Sequence, residues 1–122
     1  MRKPRTERRK QPRVRGIAGL TVSSEPHVSS LNVKDISLAG LSFRTDRPIS
    51  YMTRLMMTLI LPIRSESPGH SKGPTRIRCE GAVVRCDSVA GSEGKEHEVA
   101  VFFTHLDDDS REAIEEYVKA HS

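Results

Sequence analysis

Two short clusters of polar residues carry the residue types from which a binding site can be made. Arg9 and Arg13 stand as RxxxR within ERRKQPRVRG, and Asp35, Ser37 and Gly40 as DxSxxG within DISLAG. Arginine presents a planar, permanently charged fork of donors that grips phosphate oxygens or stacks on flat rings. Asp35 is an acceptor, and the Ser37 hydroxyl donates or accepts. Gly40, without a Cβ, allows a positive φ and a close approach of backbone to ligand. Alone, RxxxR carries almost nothing, since it arises easily in a basic arm, and DxSxxG is moderately informative, since any turn can collect an acid, a Ser and a Gly.

The charge distribution sharpens the first cluster. The chain has 122 residues and a formal net charge of +4. Residues 2–15 hold eight cations against one acid, a net +7 that leaves −3 for the rest. A basic arm on a mildly acidic body suits an anionic partner, with a phosphate-bearing ligand the first expectation. The competing account is a solvated tail.

Other candidate chemistry is thin. The histidines at 27, 70, 97, 105 and 121 show no ligand spacing, and Asp107, Asp108 and Asp109 before an apolar periodic stretch suit helix capping better than a cation. No metal is expected. No nucleophile elbow or similar motif frames any Ser or His, so no enzyme is expected either. Cys79 and Cys86 lack CxxC spacing and read as ordinary thiols; seven apart on one strand, they would point to opposite faces. Met52, Met56 and Met57 read as core or barrel-wall residues. The basic stretch runs into Gly16, Ala18 and Gly19 without an apolar h-region, and no run is long enough to span a bilayer. A cytoplasmic protein without membrane insertion is the expectation.

These residues need elements to position them. Residues 1–13 are polar, carry Pro4 and Pro12, and read as a flexible basic arm. From Val14 to the end, one domain is expected, since the length suits a single core. Its strands fall at about 14–23, 28–36, 40–46, 53–61, 75–86 and 97–104. Leu41 and Phe43 share a face, as do Leu55, Met57, Leu59 and Leu61, then Ile77, Cys79 and Val83, then Val99, Val101 and Phe103. The stretches Arg64–Pro74 and Asp87–Glu96 read as exposed hairpin loops. At about 107–121, Ala113, Ile114, Tyr117 and Val118 recur at helical spacing, so a closing helix should dock its apolar stripe on the sheet.

In both motifs, and in their order, the chain resembles the PilZ domain family. Arg13 precedes Asp35 by 22 residues, about one hairpin, and LSF after the glycine, EGAVVR at 80–85 and VAVFF at 99–103 continue the likeness. The resemblance implies an all-β fold with a C-terminal helix, a six-stranded antiparallel β-barrel with Greek-key features. It also implies a receptor for the second messenger cyclic di-GMP. Arg9, Arg13, Asp35, Ser37 and Gly40 are then the contacts, and Arg8, just before RxxxR, looks like the form that favours a stacked pair of ligands. Physically, arginines suit the two phosphodiesters and the guanine O6 and N7 edge, while Asp35 suits the guanine N1–H and N2 amino group.

On that reading the arm closes over the ligand and the ordered form signals to a partner protein in trans. No cofactor is called for. The alternatives are a small basic-armed barrel that binds RNA or DNA, disfavoured because the arm has no aromatics to stack bases, and a ligand-independent interaction module.

Overall fold

The computed structural model describes residues 12–16, 19–24, 28–62 and 75–122. Arg8 and Arg9, with the rest of the arm up to residue 11, and residues 63–74, which include the expected hairpin loop Arg64–Pro74, lie outside them. The chain forms strands β1 (Val14–Arg15), β2 (Thr21–Ser24), β3 (Val28–Ile36), β4 (Gly40–Thr45), β5 (Arg54–Leu61), β6 (Thr75–Ser88) and β7 (His97–His105), then helix α1 (Asp108–Ala120).

All pairings are antiparallel, in the order β3-β2-β5-β6-β7-β4, and β4 pairs back onto β3. That return contact closes a six-stranded barrel, the expected fold, and leaves no long edge for stray pairing. β4 and β5 sit on opposite sides of the ring, so residues 46–53 must pass from one side to the other. Ile49 in this connection is 6% exposed and belongs to the core.

Alternation decides which residues face in. In β5, Leu55, Met57, Leu59 and Leu61 are buried while Arg54 and Met56 are exposed. Adjacent strand residues point to opposite faces, so Met56 and Met57 cannot share the core. Met57 is buried in the core and Met56, 71% exposed, lies on the outer wall of β5, whereas Met52, 56% exposed, is in neither place, which corrects the expectation for that residue. Met52 occupies a turn, with φ of 69°.

Bulges alter the simple count. The expected strand 14–23 is split: Val14 and Arg15 pair with Ile36 and Asp35, and Thr21 and Val22 pair with Asn32 and Leu31. Gly16 remains against β3, its N–H donating to the Lys34 carbonyl at 2.8 Å. A Cβ there would lie 2.0 Å from the Val33 carbonyl oxygen, so this close approach requires glycine. In β6 the register shifts between Val83 and Arg85, making Val84 the extra residue. Parity therefore flips, and Cys86, opposite inward-facing Val99, packs on the core like Cys79. The expectation of opposite faces fails because it assumed a regular strand. Both thiols are free.

Helix α1 has the expected stripe, with Ser110, Ile114, Tyr117 and Val118 buried. Asp107 caps it, accepting from the Ser110 N–H at 2.8 Å. The Tyr117 hydroxyl donates to the Arg15 carbonyl at 3.4 Å, tying the helix to β1. No helix among the described residues is long and apolar enough to cross a membrane.

Candidate functional site

Asp35 lies near the end of β3, where the chain would normally alternate but does not. Val33 pairs with Phe43 and Asp35 with Ser42, so β3 carries an extra residue against β4. Val33 and Ile36 both point into the core, and the two residues between them, Lys34 and Asp35, are both left on the outside. The bulge thereby places a cation and a carboxylate side by side on the barrel wall.

β1 then brings in the arm. Arg15 pairs with Asp35 in register, and Arg13, two residues upstream, reaches the same carboxylate: its Nη1 donates to Asp35 Oδ1 at 2.5 Å. Ser42 Oγ donates to the same oxygen at 2.8 Å from β4. Asp35 is thus held from both sides, by a half-exposed guanidinium and a buried hydroxyl. A charge-assisted pair of this kind is both shorter and more directional than a neutral hydrogen bond.

The remaining motif residues form the turn beneath it. The Ser37 N–H donates to the Gly40 carbonyl at 2.8 Å, and the Ala39 N–H donates to Ser37 Oγ at 3.0 Å. Ser37 is 1% exposed, its hydroxyl engaged within the turn. Gly40 does not use the positive φ that a glycine allows; the positive-φ glycines among the described residues are Gly19, Gly91 and Gly94. Its requirement is steric, since a Cβ would lie 2.0 Å from the Val101 carbonyl oxygen on the neighbouring strand.

Beside Asp35 opens a groove of about 770 Å³ lined by Arg15, Gly16, Leu31, Lys34, Asp35 and Arg44, among others. From β7, Glu98 meets Lys34 Nζ at 2.9 Å and approaches Arg44 Nε at 3.9 Å. Arg13, Arg15, Lys34 and Arg44 face Asp35 and Glu98, a net of +2 among the described residues of this surface. Such a wall suits a dianion that also offers donor edges to a carboxylate.

The PilZ domain family model matches residues 7–120. The chain belongs to that family. The match takes in Arg8 and Arg9 as well as the whole barrel and helix. The PilZ chain is similar in fold to the Bacillus subtilis inhibitor of motility (MotI/DgrA), with a TM-score of 0.71 and 17% identity over 97% of this chain and 55% of that one. It is similar to K. pneumonia MrkH in complex with c-di-GMP, with a TM-score of 0.66 and 17% identity over 91% of this chain and 51% of that one. It is also similar to the PilZ domain of YcgR from Escherichia coli with c-di-GMP, with a TM-score of 0.62 and 12% identity over 93% and 91%. The chain spans about half the length of the MotI/DgrA and MrkH chains. No curated protein matches it by sequence.

Of the residues singled out in the sequence, the structure brings Arg13 and Asp35 into contact and sets Ser37 and Gly40 in the turn below. Arg8 and Arg9 lie outside the described residues. Sequence reasoning missed Ser42, Arg44 and Glu98, although alternation could have found them: with Leu41, Phe43 and Val99 inward, their neighbours must face out. Lys34, next to inward-facing Val33, was open to the same argument; that Asp35 faces out beside it is a matter of register, decided by the bulge.

Proposed function

We propose that this PilZ domain is a receptor for cyclic di-GMP. The observation that carries the reading is the Arg13–Asp35 pair, which joins the two family motifs at the edge of a cation-lined groove. The two phosphodiesters of the ligand match the net charge of that wall, and each guanine offers an acceptor edge to arginine and donors to a carboxylate. The similar MrkH and YcgR structures contain c-di-GMP, which supports the same ligand class.

In this proposal Arg8, Arg9, Arg13 and Asp35 touch the ligand directly. Ser37 and Gly40 complete the site by shaping the turn that presents Asp35, and Arg8 favours a stacked pair. The arm, residues 1–13, changes partners on binding: Arg13 leaves or shares Asp35 and turns to phosphate. The rearranged arm offers a surface to a protein effector in the cytoplasm. The role is binding alone, without a cofactor, so incubation with the protein should leave cyclic di-GMP chemically intact by chromatography.

Calorimetric titration with cyclic di-GMP tests the core of the reading. Arg13→Ala removes a charged hydrogen bond worth about 1.5–3 kcal/mol, so affinity should fall roughly tenfold to a hundredfold. An Arg13→Ala variant that binds as tightly as the parent would sink the assignment.

A further inference from the structure

We infer that Lys34 and Arg44 are two further phosphate-binding cations of the groove, and that Glu98 is a carboxylate latch which a ligand phosphate must displace to reach them. The inference rests on the cyclic di-GMP reading and extends it to residues outside both family motifs.

Three strands converge on this point. Lys34 comes from the β3 bulge, Arg44 from the outer face of β4, and Glu98 from β7, directly opposite Arg44 in the register. Glu98 gives one oxygen to each cation, Oε2 to Lys34 Nζ at 2.9 Å and Oε1 towards Arg44 Nε at 3.9 Å. The second distance is beyond hydrogen-bond reach, so Arg44 is steered without being bonded. A single negative charge thus serves two positive ones, which leaves the cluster short of one anion.

The exposures point the same way. The Lys34 and Arg44 side chains are 44% and 49% exposed, whereas that of Glu98 is 23% exposed. The carboxylate is the more covered partner, and both cations are the more exposed ones. Arg44 also lines a second recess of about 510 Å³ with Ser29, Leu31, Thr45, Asp46 and Arg47, so it stands where the two hollows meet. A phosphodiester entering the groove beside Asp35 would meet both heads at once and offer each an oxygen.

Glu98 opposes that event. Left close to the incoming phosphate it is a like charge at the surface, and it also competes for the two cations. Its effect is to weaken binding and raise the ligand concentration at which the site fills. Neutralising it without changing its shape should tighten binding by up to about fivefold, the scale of an exposed charge pair.

The experiment is calorimetric titration of the full chain with cyclic di-GMP at fixed ionic strength. The parent is compared with Glu98→Gln, Lys34→Gln, Arg44→Gln and, as a control, Arg54→Gln, whose 3.9 Å contact with Glu80 lies outside the groove. Expected are tighter binding for Glu98→Gln, weaker binding for Lys34→Gln and Arg44→Gln, and no change for Arg54→Gln. The gain in Glu98→Gln should shrink as salt is raised, which a purely structural role for Glu98 would not produce. Glu98→Gln binding no tighter than the parent overturns the latch, and parental affinity in both Lys34→Gln and Arg44→Gln overturns the two contacts. Should Glu98→Gln fail to fold by circular dichroism, the two half-exposed cation variants decide alone. A parent chain that takes up no cyclic di-GMP removes the receptor reading itself, whereas a binding parent with unresponsive variants removes only this inference.

Discussion

Asp35 holds a guanidinium and a hydroxyl on one oxygen, and a carboxylate so held has a fixed orientation at the edge of the groove. Its neighbours in the motif matter for a different reason. Ser37 and Gly40 lie in the turn and the wall, and Gly40 is irreplaceable because β4 and β7 pass too close there for a side chain. Gly40→Ala should therefore cost stability before it costs affinity. Backbone on the far side cannot give way cheaply, so a loss of about 1–3 kcal/mol is expected, read as a lower urea midpoint. An unchanged midpoint would show that the strands can separate there at little cost. At this scale DxSxxG was readable as a motif, but its division into an outward-facing acid and two residues packed in the turn and wall was not, because burial is set by what packs against a residue.

At the scale of elements, alternation placed the strands and periodicity placed the helix within a residue or two of where they lie. Among the irregularities it missed are the break between β1 and β2, the β3 bulge and the β6 bulge at Val84. Bulges of this kind accompany the bending of strands round a closed barrel, a demand no local pattern contains. Helix α1 illustrates the opposite case, since its cap was legible as an acid before a periodic run. The backbone N–H of Ser110, followed by its side chain, holds the Asp107 carboxyl below its usual 3.8. A depressed folded pKa means that the cap contributes fully above pH 3.8 and is lost as the pH falls through the lower folded value. Asp107→Ala should therefore melt at a lower temperature than the parent at pH 7, and the gap should narrow below pH 3.8. Melting curves with an equal gap at pH 7 and pH 2.5 would remove the charge from the explanation.

Across the whole molecule, closure of the barrel makes a single buried interior that includes Phe43, Leu55, Leu59, Val83 and the helix residues Ile114 and Tyr117. Cys79 reports on its integrity. It is 5% exposed, and burial, with a smaller contribution from Asp107, pushes its thiol up to about 12. It should resist iodoacetamide in the folded chain at neutral pH and react only through opening of the barrel. Mass spectrometry along a urea series should show Cys79 labelled in step with global unfolding and after Cys86, which is less buried. Early labelling of Cys79 would mean that β6 detaches without the rest.

The composition of the two motifs, the six-strand pattern of the barrel, the closing helix and the basic arm were all legible in the sequence. These follow from local pattern: charge, alternation of two, helical spacing and motif order are all properties of neighbouring residues. That Arg13 pairs with Asp35, that Ser42 supports the same oxygen, and that Lys34 and Arg44 share Glu98 emerges solely from the folded chain. Those meetings depend on strand register and on a bulge that turns two consecutive residues outward. Register is a long-range property, fixed by how six strands close on one core.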